Sequence, residues 1–337
     1  MAKKQKNKAK NQSSGKITIA NIIALVGLVL LLVFTFIGHS YMSGGEIGWD
    51  ILIAVVVTAV AGGLLWFMIK CKGAANQLDK WKKIEIATLV AYILFAIPAS
   101  LFGGIMHFFV VNDNKEQIKN YAQEDIAKID SLYASYENFE KTAIEKTGNG
   151  LKIAIMPGKV SDASLNKFMT DNRIERTESA VETFIDSQRD DLVKEDGAYG
   201  DKHLQYIADR NEIINIVNNW SIIQVPTSAK KIDYLASIAQ EDLSELSHNA
   251  LLPDVDWDSA NNKYTIVKQN QEQEFALDTS SFKFRKALQD ARGFSVTALI
   301  VVLLIHLMIL FNYFVARRTD VLKVGETRKE EDGGTQL

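Results

Sequence analysis

The residues that could do chemistry are few, and most stand where polarity is costly. His306 lies near the centre of an apolar run, FSVTALIVVLLIHLMILFNYFVA. An ionisable group inside such a run is rare and usually faces protein or water. A proton relay through it would need an acid at similar depth. Glu85 stands close to the end of another apolar run, and Glu46 and Asp50 stand just ahead of a third. The expected role of His306 is therefore packing, as a neutral imidazole bonded to a neighbouring helix. His39 falls near the end of a fourth apolar stretch, and His107 near the far end of the one that begins beside Glu85. A pair of imidazoles can begin a metal site, but zinc takes at least three protein ligands and no third is defined. Asp254, Asp256 and Asp258 in PDVDWDSANN alternate like the start of a calcium loop. That loop requires glycine at its sixth position and glutamate at its twelfth. Ser259 and Thr265 hold those places, so the stretch reads as an acidic turn ahead of a hairpin.

Nothing else adds a reaction. His203 and His248 belong to no H-E-x-x-H pattern or nucleophile elbow. Asn219-Trp220-Ser221 is a glycosylation sequon at a helix end, relevant only in a eukaryotic secretory route. No glycine-rich phosphate loop is present, and the only cysteine, Cys71, reads as a structural thiol or an unused residue. The expectation is a non-enzyme with no catalytic residue, no cofactor and no metal ligand.

The elements that hold these residues fall into two populations. The chain has 337 residues, 47% hydrophobic and 23% charged, but the charges are gathered into separate stretches. Segments 17–37, 51–69, 84–111 and 293–316 are nearly uncharged, and each is near or above the roughly 20 apolar residues that cross a bilayer. The first begins after a lysine-rich start but is too long for a cleaved signal peptide, so it reads as a retained anchor. The expected fold is a mainly α membrane protein: four transmembrane helices and a mostly helical extracytoplasmic domain, 112–292, with a small β-hairpin. Residues 1–16 form a basic cytoplasmic tail and 317–337 a second cytoplasmic tail.

The distribution of lysine and arginine orients this plan. Lys3, Lys4, Lys6, Lys8, Lys10 and Lys16 precede the first span; Lys70, Lys72, Lys80, Lys82 and Lys83 lie between the second and third; Arg317, Arg318, Lys323, Arg328 and Lys329 follow the fourth. The loop GHSYMSGGEIGWD between the first two has no lysine or arginine. Basic flanks mark the cytoplasmic side, and all three clusters share one side only with four spans and both termini inside. Small residues repeat along the spans: Ala20, Ala24 and Gly27; Ala54, Thr58 and Gly62; Ala96, Ser100 and Gly104. Such stripes let helix backbones approach closely in lipid, within one chain or in a homo-oligomer. Pro98 should kink the third span.

Within 112–292, Ala122, Ile126, Ile129, Tyr133 and Tyr136 recur three and four apart, a heptad-like seam. Gly148-Asn149-Gly150 should end that helix, LKIAIM should be a short strand, and Ser161 or Ser164 should cap the next helix. Ile232, Leu235, Ile238, Ala239, Leu243 and Leu246 mark one face of a later helix. KYTIV and EFAL read as the two strands of a hairpin joined through 268–272. SSFKFRKALQDARG reads as a charged helix running into the fourth span. It should pair with the helix after span three as an antiparallel stalk.

This plan is similar, in topology alone, to the inner-membrane subunits of bacterial envelope assemblies, including secretion machines. The expected location is the bacterial cytoplasmic membrane. The expected partners are the lipid bilayer and other envelope proteins, and not nucleic acid: the lysine-rich tail has no aromatic interleaving and no DNA-binding fold behind it. The expected role is an anchor or assembly subunit of an envelope-spanning complex. A membrane sensor relaying a signal to a separate cytoplasmic protein is the alternative, and a transporter or channel subunit comes third.

Overall fold

The structure, a computed structural model, describes residues 18–74, 79–249, 252–268 and 274–316. The two tails lie outside the described residues. The chain divides into two compact units: Met1–Asn114 with Leu288–Leu337, and Lys115–Ala287.

The first unit holds the four helices that, among the described residues, are long and apolar enough to cross a membrane: α1 (Ile19–Ser43), α2 (Ile47–Ala74), α3 (Lys80–Asp113) and, at the far end of the chain, Val296–Val315. Thr18 caps α1 by accepting from the Asn21 N–H, and Gly44 closes it with φ 71°. The second helix begins earlier than the hydropathy suggests, so Asp50 lies in its first turn. There Asp50 is fully buried and accepts from the Ser43 hydroxyl at 3.0 Å. Small residues of the expected stripes pack within this unit: Ala24 and Ala96 lie in its core with Leu31, Tyr92, Ile105 and Val302. Isoleucine, leucine and valine side chains cover the outer faces, as at Leu25, Val56, Leu94 and Leu304.

The expected disturbance at Pro98 spreads over two turns. The proline cannot donate to the preceding turn, and the helix widens into π geometry on either side of it, at Tyr92–Ala96 and at Leu101–Ile105. The backbone leaves helical geometry at Gly103 and Gly104, the latter with φ 129°. A side chain at Gly104 would be strained by that φ, and Gly38 of α1 lies directly against its carbonyl.

The second unit is built on α4 (Lys115–Ala154), 40 residues and, at 1.5 Å each, about 60 Å long. The seam expected on it is buried throughout. The helices α5 (Ala163–Asp171), α6 (Glu178–Val193), α7 (Ala198–Asn218) and α8 (Val225–Asn249) follow, and α6, α7 and α8 all pack on α4. The face expected on α8 is buried at Ile232, Leu235, Ala239, Leu243 and Leu246. Then come β1 (Asp254–Asp258) and β2 (Lys263–Val267), paired antiparallel with Asp254 opposite Val267.

Several expectations are corrected here. The glycines do not end the first helix, and LKIAIM is not a strand: α4 continues to Ala154. Gly150 serves close approach instead, because a Cβ there would lie 2.7 Å from the Cβ and the carbonyl oxygen of Val255. Leu151 and Ala154 join the core on helical spacing. Asp162, not either serine, caps α5, accepting from the Leu165 N–H at 2.8 Å. The hairpin lies one strand upstream of its expected place. Its turn at Asp258–Asn262 is held by Asp258, which accepts from the N–H groups of Ala260 and Asn261, with Asn262 at φ 53°. EFAL is irregular, tied down by buried Phe275, and 269–273 lie outside the described residues. The charged stalk reduces to a six-residue helix, α9 (Phe284–Gln289), with irregular backbone from Ala291 to Ser295 before α10 (Val296–Val315). Helical geometry is likewise interrupted at Asn114 (φ −102°, ψ 12°), so neither arm is one unbroken rod.

Candidate functional site

In the membrane-type unit, the backbone on both sides of Pro98 and the last helix bring three polar side chains together. The Ser100 hydroxyl donates to the Ala96 carbonyl at 2.6 Å. Its single proton is thereby used, so His306 Nε2, 2.9 Å from Ser100 Oγ, is the donor in that contact. Nδ1 then carries no proton and accepts from the Tyr92 hydroxyl at 2.8 Å. All three side chains are buried. The result is a closed chain, Tyr92 to His306 to Ser100 to a backbone carbonyl, with a neutral ring at its centre and both ring nitrogens engaged.

Toward the start of α3, buried Glu85 accepts from the Tyr313 hydroxyl at 2.8 Å. Lys72 donates to the Tyr313 carbonyl at 2.5 Å, and its ammonium lies 4.6 Å from the centre of the same ring. Hydropathy marks Glu85 as a flanking residue. Its burial follows from the tyrosine contributed by a helix far away in sequence. His107 donates from Nε2 to the Leu288 carbonyl at 2.7 Å, which removes that nitrogen from any pairing with His39. Among the described residues no group of three or more histidine, cysteine or acidic side chains could hold a metal ion.

The other sequence candidates are separate. Asp254, Asp256 and Asp258 lie in β1 rather than in a loop, and Asp254 pairs with Lys146. Cys71 is buried. Asn219 ends α7 with its amide donating to the Asn215 side chain at 2.7 Å. His203 stacks on Tyr133 at 5.1 Å and Tyr199 at 5.2 Å. The His248 side chain lies outside the described residues.

The second unit contains a feature that no motif announces. Tyr133, Tyr136, Tyr199 and Tyr206 form an aromatic wall between α4 and α7, with Tyr133 on Tyr206 at 4.4 Å and Tyr136 on Tyr199 at 5.1 Å. Burial raises the pKa of all four phenols. At one end of the wall Tyr206 donates to Asp130 at 2.6 Å, and Arg210 grips the same carboxylate at 2.8 and 2.9 Å. That acid is saturated. At the other end the wall borders a cavity of about 220 Å³ lined by Tyr136, Glu140, Gln188, Asp191, Tyr199 and Leu246 among others. Glu140 is 3% exposed. Burial raises its pKa, against a bond from the Tyr136 hydroxyl that lowers it. Its Oε1 and the Tyr199 hydroxyl are both buried and have no hydrogen-bond partner among the described residues. The signal in the sequence was only that Tyr136 and Glu140 are one helical turn apart; Tyr199 comes from another helix.

No protein-family model matches the chain, and no curated protein or solved structure is significantly similar to it.

Proposed function

We propose that the chain is a non-enzymatic, multi-pass protein of a bacterial cytoplasmic membrane, with both termini in the cytoplasm. In this reading residues 112–292 lie outside the cytoplasm and bind another envelope protein, so that the chain anchors or helps assemble an envelope-spanning complex such as a secretion system. The observation that carries this is an apolar surface where α4 ends. Ile153, Met156 and Val160 are 42%, 51% and 58% exposed within eight residues. Lys159 links the strip to the hairpin, with its ammonium 5.8 Å from the Trp257 ring and 5.9 Å from that of Tyr264. Adjacent exposed apolar side chains rimmed by charge are a common form of protein-binding surface.

The membrane-type unit supports the same reading from the other side. Its buried histidine has both nitrogens bonded to its own neighbours, and its buried Glu85 accepts from Tyr313. These polar groups hold helices together. A second reading, a membrane sensor that passes a signal to a separate cytoplasmic protein, is favoured by the unsatisfied cavity at Glu140.

The test is crosslinking in intact cells with a photoreactive residue scanned through 115–287 and mass spectrometry of the adducts. Probes at Met156 and Val160 should capture one or two envelope proteins. Silence there, with a cytoplasmic partner trapped from probes in 317–337, would replace the anchor reading by the sensor. Labelling of 115–287 only from the cytoplasmic side would overturn both.

A further inference from the structure

The cavity beside Glu140 is built for charge yet holds only half of what it needs. Its carboxyl is almost wholly out of water, with one oxygen bonded by Tyr136 and the other without a partner among the described residues. The Tyr199 hydroxyl, also buried and unpartnered, lines the same space. An unmet polar group in a protein interior is costly, and more so when charged, so two at one cavity call for a cause. The lining answers which kind of molecule would supply it. Two acids, Glu140 and Asp191, line the cavity, and no lysine or arginine does among the described residues. An anion is excluded by that charge, and a neutral guest would leave the carboxylate without a counter-charge.

We propose that this cavity is the binding site of a small organic cation, a primary ammonium on a short apolar body, with Glu140 as its counter-charge. An ammonium brings three donors and no acceptor. Glu140 Oε1 and Tyr199 Oη each take one, and the side-chain carbonyl of Gln188 takes the third. Leu246 and the aromatic wall receive the apolar body. A space of about 220 Å³ admits a short alkylammonium. Asp191, at the exposed rim, adds attraction on approach. This goes beyond the anchor reading and stands or falls apart from it, because it concerns the inside of the helical unit and not its apolar surface.

The test uses the full chain in phosphatidylcholine nanodiscs. The probe is n-pentylammonium chloride, with 1-pentanol as its neutral isostere and butyrate as an anion. Saturation-transfer NMR and thermal shift report binding. The expectation is saturable binding of pentylammonium with Kd on the order of 1 mM or tighter, and neither control competing. Glu140→Gln should weaken it by at least about thirtyfold, the loss typical of removing one member of a buried charge pair. Tyr199→Phe should weaken it by about two- to tenfold, one hydrogen bond's worth. If Glu140→Gln fails to fold, Tyr199→Phe and Glu140→Asp carry the test. No saturable binding, equal binding of 1-pentanol, or binding that Glu140→Gln and Tyr199→Phe leave unchanged would each overturn the proposal.

Discussion

At the scale of single residues, Glu140 makes a prediction that needs no ligand. Its folded pKa lies above the ordinary value of 4.5, mainly through burial. A carboxyl shifted upward is held more tightly protonated in the folded state. Its effect on stability is absent below the unfolded pKa and becomes a penalty as pH rises through the folded one. Glutamine cannot ionise, so Glu140→Gln should melt higher than the wild type at pH 8 and level with it near pH 4. A gap independent of pH would mean that the carboxyl does not titrate in this environment. Asp162 has the opposite sign. Its bonds from Ser164, the Leu165 N–H and Thr265 hold its pKa at about 2, so it stabilises above pH 4 and ceases to as pH falls toward 2. Asp162→Asn should therefore lower the melting temperature at pH 7, by less than one cap's worth of about 1 kcal/mol, and the difference should close in acid. These residues show where reading by type reaches its limit. His306 stands out because histidine is rare in an apolar run. Glu140 is one acid among many in a charged helix, and only the fold shows that it is buried.

At the scale of elements, the chain announces its helices better than their ends. Four apolar runs and the seam from Ala122 to Tyr136 are legible because burial on one face imposes a period. The hairpin is not, because β1 reads D-V-D-W-D, of which Val255 alone is buried. Three aspartates in alternation look like a turn until the partner strand is known. The glycine pair near the end of α4 misleads for a related reason, since glycine serves close approach as well as termination. Gly150→Ala separates these roles. Alanine's propensity would return about 1 kcal/mol in a helix interior. Against this, the new Cβ would meet backbone and Cβ atoms of Val255 at 2.7 Å, an overlap costing about 1–3 kcal/mol. A strand backbone cannot swing aside as a flexible side-chain tip can, so the overlap wins. Denaturant unfolding of Gly150→Ala should show a net loss of up to about 2 kcal/mol, whereas stabilisation would return the glycine to a mere weak point in the helix.

At the scale of the whole molecule, Lys115–Ala287 has its own buried seam and a second core around Leu151, Leu165, Val181 and Val255. Expressed alone, it should be helical by circular dichroism and melt in one cooperative transition. A broad, featureless melt would make its fold depend on the membrane segments. One contact in this unit also bears on how the protein is made. Asp125, fully buried near the start of α4, accepts from the N–H groups of Lys283 and Phe284, both at 2.8 Å. Some 158 residues separate the first pair. During synthesis the carboxylate must wait, close to the beginning of the domain, until nearly all of it has left the ribosome. A chain cut short between Asn249 and Lys283 would keep the long helices of this unit and still leave the Asp125 carboxylate without these two donors.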